Sequence, residues 1–186
     1  MKRILPLLFT ILFLLGCGGE RPSQETATEL RQRLHKADSC QFIASISADY
    51  GKEVYGFQMR CICDHSGNIT FEVLSPETIK GITGRLSGEG GALTFDEHAL
   101  IFSLMADERL SPVSGPWIMM RALRSGYIRA CGKSDNATII YLDDSYEADA
   151  YELKICINKE NVPESAEIFY RNNRLLMIRV ENFTIL

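Results

Sequence analysis

The chain has 186 residues, 46% of them hydrophobic and 24% charged, with 20 basic residues against 24 acidic ones and a formal net charge of −4. That length suits one domain around a single sizeable core, and the acidic balance gives an overall surface that repels nucleic acid and anionic lipid head groups, so neither is an expected partner of that surface. No stretch reaches the about 20 consecutive apolar residues that a membrane-crossing helix requires.

The first element is short and greasy. Lys2 and Arg3 precede the run from Ile4 to Leu15, in which only Pro6 and Thr10 are not apolar; these are the n-region and h-region of a secretory signal. The run closes on Leu14-Leu15-Gly16-Cys17 and gives way to the polar string GGERPSQE. That closure resembles the bacterial lipobox, in which the cysteine thiol takes a diacylglycerol and becomes the N-terminus after cleavage. The expected organisation is a leader over 1–16, a lipidated Cys17 with a tether over 17–25, and a folded domain over 26–186. Acyl chains, palmitate among them, contribute about 0.8 kcal/mol per buried methylene. A multiply acylated Cys17 therefore anchors the protein to the outer face of a bacterial membrane, the outer membrane where the organism has one. Loss of the leader removes two of the 20 basic residues and none of the 24 acidic ones, which takes the net charge to −6.

Thr26-x-x-Glu29 reads as a capping box opening an amphipathic helix over 26–37, with Ala27, Leu30, Leu34 and Ala37 on one stripe. Three strands follow. Cys40, Phe42, Ala44 and Ile46 alternate with polar neighbours, and after the Asp49–Lys52 turn so do Tyr55, Phe57, Met59, Cys61 and Cys63. With Ala48 opposite Glu53, every apolar partner falls on one side and Cys40 faces Cys61, the first choice for a disulfide. Past His65-Ser66-Gly67-Asn68, Ile69, Phe71 and Val73 meet Cys63, Cys61 and Met59 in turn. Five glycines between Gly81 and Gly91 suit a bent strand or a place where the sheet curls. Residues 92–95 and 99–104 bracket a further hairpin.

A second helix is expected between Ser111 and Gly126, with Pro112 and Pro116 near its start. Its centre, Trp117-Ile118-Met119-Met120-Arg121-Ala122-Leu123, is apolar nearly all round and must be covered on more than one side. Strands return over 137–142, 151–157, 164–170 and 175–186. In Tyr151–Ile157, Leu153, Ile155 and Ile157 point inward. The order helix, strands, helix, strands, with about nine or ten strands in consecutive hairpins, predicts an α+β chain dominated by one curved antiparallel sheet.

The chemistry-bearing residues are sparse. The five cysteines after Cys17 are odd in number, so at least one thiol stays free. His35, His65 and His98 are scattered, so no metal site and no cofactor is expected. No nucleophile elbow, zinc-protease helix or carboxylate pair is present, and a non-enzymatic role follows.

The lipobox, the meander, the segment Val73-Leu74-Ser75-Pro76-Glu77-Thr78-Ile79-Lys80-Gly81-Ile82 leading to Leu93-Thr94-Phe95, and the ending with Pro163, Ile168 and Leu176–Phe183 together resemble the LolA/LolB-like lipoprotein-carrier superfamily. The resemblance implies an unclosed β-barrel with a helical lid over a hydrophobic cavity able to hold acyl chains of lipids or lipoproteins. On that basis Phe42, Phe57, Met59, Phe71 and Val73 form the concave face, and Trp117, Met119 and Met120 close it. The competing reading is a structural or interaction lipoprotein of the cell envelope, in which the same side chains fill the interior. In either case a monomer is expected.

Overall fold

The computed structural model describes residues 22–186 except 50, 52–53, 96–97, 103–104, 107–108, 135–136 and 148. The leader and Cys17 lie outside the described residues. Helix α1 runs Pro22–Lys36, four residues ahead of the expected start. Proline suits a first helical turn, where its missing N–H has no partner to lose. Strands β1 (Ser39–Asp49), β2 (Val54–Asp64) and β3 (Ile69–Ser75) follow as a meander. Next come β4 (Thr83–Ser87), β5 (Gly90–Phe95), β6 (His98–Phe102) and the two-residue pair β7 (Met105–Ala106) and β8 (Arg109–Leu110). A 3-10 turn over Pro112–Ser114 leads into α2 (Gly115–Ser125), as expected between Ser111 and Gly126. The chain closes with β9 (Tyr127–Ser134), β10 (Ala137–Asp143), β11 (Glu152–Ile157), β12 (Pro163–Tyr170) and β13 (Asn173–Ile185).

Eleven strands form one antiparallel sheet in the order β6-β5-β4-β3-β2-β1-β13-β12-β11-β10-β9. β1 pairs with β13, which joins the two ends of the chain in the middle of the sheet. The outermost strands, β6 and β9, do not meet, so the barrel is open. Its curvature follows from α2. Arg124 reaches the carbonyl oxygens of Asp64 and His65 at the end of β2, while a Cβ on Gly126 would lie 2.6 Å from the Asp143 carbonyl at the end of β10. Those strands stand five positions apart, about 24 Å in a flat sheet at about 4.8 Å per strand. Two residues and one side chain bridge that gap only if the sheet wraps around the helix.

The expected register holds between β2 and β3, where Cys63, Cys61 and Met59 oppose Ile69, Phe71 and Val73. It is two residues off between β1 and β2. Ala48 pairs with Tyr55, Phe42 with Cys61, and Cys40 with Cys63. Glu53 lies outside the described residues. A two-residue shift leaves every side chain on its own face, so the apolar pattern survives while the cysteine partner changes. The turn sets the register. The Asp49 carboxylate accepts the Gly51 N–H at 2.8 Å, and Gly51 sits at φ +82°, where an L side chain is strained.

Candidate functional site

The sheet's helix-covered face supplies Phe42, Met59, Phe71 and Val73, and α2 supplies Trp117, Met119 and Met120; none of the seven is more than 5% exposed. Phe57 is half-buried against the same cluster. The structure brings all eight predicted lining residues into one apolar interior, where they pack with Leu30 and Leu34 of α1 and with Ile155, Ile168 and Ile178 of the far strands. Phe42 also stacks on Phe183, ring centroids 5.3 Å apart. The most buried members, Met59, Met119 and Met120, are unbranched and polarisable, so they fit an irregular space and can re-pack.

Besides the burial of its apolar side chains, α2 is tied by polar bonds that cluster at its C-terminal end. Arg31 of α1 donates from Nε to the Leu123 carbonyl at 2.9 Å, and from Nη2 to the Gly126 carbonyl at 2.7 Å and the Ala122 carbonyl at 3.3 Å. Arg124 of α2 answers in the opposite direction, donating from Nη2 to the Leu34 carbonyl of α1 at 2.9 Å and from Nη1 to Asp64 and His65 at 3.0 Å each. His35 Nε2 lies 2.9 Å from the Arg124 carbonyl. Each helix thus ends on an arginine of the other. Terminal carbonyls have no intrahelical partner, and a cation there also complements the helix dipole. Burial pulls the Arg31 guanidinium below its ordinary value, which Tyr146 partly offsets; it stays charged because arginine starts far above neutral pH.

Beside this latch, Arg121 pairs with Asp144 and lies over the Trp117 ring, 4.6 Å from its centroid. Desolvation lowers the Arg121 value. Asp144 is further fixed by accepting the Tyr151 N–H at 2.8 Å. A pocket of about 370 Å³ opens here, between the C-terminal half of α2 and the β2–β3 turn. Two larger depressions, of about 670 Å³ and 440 Å³, lie on the uncovered face of the sheet, around Ser45, Met177 and Arg179 and around Arg60, Thr70 and Arg85.

The arginine latch was missed by sequence reasoning. Its one visible signal was the placement of Arg121 and Arg124 inside an otherwise apolar helix, a cost that only bonded partners offset. The cysteines read differently. Cys40, Cys61 and Cys63 are buried thiols, and Cys131 and Cys156 are partly exposed ones. Burial pushes the Cys61 thiol far up and takes Cys63 to about 11, the Arg124 charge acting against it. Cys40 and Cys63, not Cys40 and Cys61, stand directly across from one another. Among the described residues, no group of three His, Cys, Asp or Glu side chains is placed to hold a metal ion, and no helix is long and apolar enough to cross a membrane.

No protein-family model matches the chain, and no curated protein matches it in sequence. Solved structures do align with it. A LolA superfamily protein from Nitrosomonas europaea is similar at 11% identity over 86% of this chain and 93% of its own, with a TM-score of 0.46. A lipoprotein-sorting protein domain from Vibrio parahaemolyticus, described as of the outer membrane, aligns at 9% identity over 87% and 91%, TM-score 0.48. The Mycobacterium tuberculosis lipoprotein LppX aligns at 8% identity over 87% and 92%, TM-score 0.42.

Proposed function

We propose that the protein is a lipid-anchored, non-catalytic envelope lipoprotein that binds a lipid or other hydrophobic ligand in the half-barrel beneath α2. One observation carries this reading. α2 buries apolar side chains on nearly all sides, yet it is fastened to its surroundings by arginine-to-carbonyl bonds clustered at one end. A helix between Pro112 and Gly126 with such a fastening is built to swing on release of the latch, and its departure uncovers Phe42, Met59 and Val73 of the sheet as the walls of an apolar trough, with Met119 and Met120 on the underside of the moving helix. Cys17, five residues before α1, supplies the anchor. Its tether spans at most about 18 Å at roughly 3.5 Å per residue, which keeps the trough next to the bilayer.

Organic extraction of the purified protein and mass spectrometry test the reading directly, with Trp117, the single tryptophan, reporting fatty-acyl probes by fluorescence. Co-extracted lipid and a saturable Trp117 response are expected. Absence of both overturns it. Metabolic labelling with palmitate tests the anchor separately, and a Cys17→Ser chain should lose the label.

The filled interior favours a second reading. Phe42, Met59, Met119 and Met120 are each at most 2% exposed, as in a core that never opens. In that case the protein is a structural or interaction lipoprotein that works through its uncovered sheet face. A disulfide engineered between α2 and the sheet separates the two: it abolishes acyl binding in a carrier and changes nothing in a closed interaction module.

A further inference from the structure

We infer that the pocket beside Trp117 is an anion site for a phosphate group. Its walls are basic. Arg121 and Arg124 of α2, His35 of α1 and His65 of the β2–β3 turn line it, together with Ser66 and Ser125, the Ser125 hydroxyl donating to the Arg121 carbonyl at 3.0 Å. Among the described residues no carboxylate lines it, although acidic residues outnumber basic ones in the chain.

The two guanidiniums retain unused capacity. Arg124 is only 8% exposed, its three hydrogen bonds all go to neutral carbonyls, and its Nε–H has no partner. Among the described residues no carboxylate forms an ion pair with it. A buried cation without a counter-charge is costly, and an unsatisfied buried donor adds to that cost. An anion entering the pocket supplies the missing counter-charge. The Arg121 Nε–H is likewise buried and unpartnered, while its other end is tied to Asp144. That tie orients the group without neutralising Arg124. The nearby Asp64 carboxylate does not fill the role either. It is engaged by the Asn68 side chain and backbone N–H at 2.9 to 3.4 Å and lies 3.9 Å from Arg85.

Two planar forks one helical turn apart match the geometry of phosphate oxygens. The pocket's 370 Å³ leaves room for a glycerol unit beside the phosphate, and the Trp117 ring that borders it also belongs to the apolar interior. A phospholipid would place its head at the arginines and its chains beneath α2. The phospholipid as source rests on the proposed lipid-binding function; the phosphate pocket itself does not.

Trp117 fluorescence of the full-length protein reads both. The probes are inorganic phosphate, dioctanoyl phosphatidic acid and dioctanoylglycerol, the last two sharing their chains and differing in the phosphate. Phosphatidic acid is expected to bind at least tenfold more tightly than dioctanoylglycerol. Arg121→Gln should erase that ratio. Because Arg121→Gln also strips Asp144 of its partner, Ser66→Asp serves as a second variant: it adds a negative charge at an exposed rim position and should erase the ratio with the fold intact. A response to inorganic phosphate alone supports the pocket with a free anion as the source, and then the lipid reading fails while this one stands. Equal affinity for phosphatidic acid and dioctanoylglycerol, unmoved by Ser66→Asp, overturns the anion site while leaving the lipid reading in place. No response to either phosphate-bearing probe also overturns it.

Discussion

The sheet has two unequal parts. Under the helices, β1 alternates without a break, with Cys40, Phe42, Ala44, Ile46 and Ala48 at 3% exposure or less, and Leu153, Ile155 and Ile157 of β11 do the same at the other side. In the wing of β4, β5 and β6 the strands pair as regularly, yet Leu86 is the only large side chain described there as buried, and Leu100 and Ile101 are 62% and 85% exposed. Backbone pairing is therefore not what distinguishes them. The difference is cover: α1 and α2 lie over the central and far strands, while in the wing aromatic rings substitute for a second layer. Phe71 lies against Gly84 and Phe102 against Gly91, which is why glycines occupy those strands. At the glycine-rich segment, where a curl is expected, the far ends of two rings occupy the space that a Cβ would fill.

The largest effect should come from emptying the covered half. Met120→Ala removes a fully buried side chain between helix and sheet, and a loss of about 3 kcal/mol is expected from transfer and cavity terms together. Urea unfolding measures it, and a loss below about 1 kcal/mol would mean that the interior collapses around the gap. Gly84→Val tests the wing. Its Cβ would sit 2.6 Å from Phe71 Cζ and 2.5 Å from the Ala92 carbonyl, so overpacking of about 1–3 kcal/mol is expected. Hydrogen exchange should show it first in β4 and β5, with the amides of β11 and β12 unchanged.

This partition explains what the sequence reveals. Strands with one covered face announce themselves by period two, so β1, β2, β3, β10 and β11 are readable, as is the all-round apolar α2. β9 was missed because it is an edge strand whose exposure pattern has no alternation. The β1–β13 pairing is also invisible to local patterns, since it joins residues at opposite ends of the chain. The two-residue error between β1 and β2 has the same root: periodicity fixes the face, and turn chemistry at Asp49 and Gly51 fixes the partner. At the candidate site, the burial of the apolar side chains was legible and the polar latch was not. Arg31 and Arg124 act on carbonyls, and no residue type marks a carbonyl as unpaired.

A smaller effect belongs to the uncovered face of the covered half. Glu167 of β12 opposes Lys154 of β11 and accepts its ammonium at 2.8 Å, with Arg174 at 3.0 Å. The Lys154 bond chiefly holds the Glu167 carboxyl below its ordinary value of 4.5. A lowered carboxyl stabilises the fold at pH values above 4.5, and that contribution is lost as the pH falls through the folded value. Glu167→Gln is expected to cost at most about 1 kcal/mol at pH 7. The difference from the unmodified chain should close in acid, below the folded value; a difference that persists there would assign the cost to packing instead.

The smallest effect tests the wing from outside. Ile101 stands on the edge strand β6 with 85% of its surface in water, so it has little burial to lose. Ile101→Asp should change stability by no more than about 0.5 kcal/mol, as exposed substitutions away from special features do. A charge on an unpaired edge also opposes strand addition, so the variant should be no more prone to self-association than the parent. A destabilisation above 1 kcal/mol, and one that grows with protein concentration, would mean that a second chain covers β6 in solution. The contrast between the two halves would then belong to the isolated chain and vanish in the assembly.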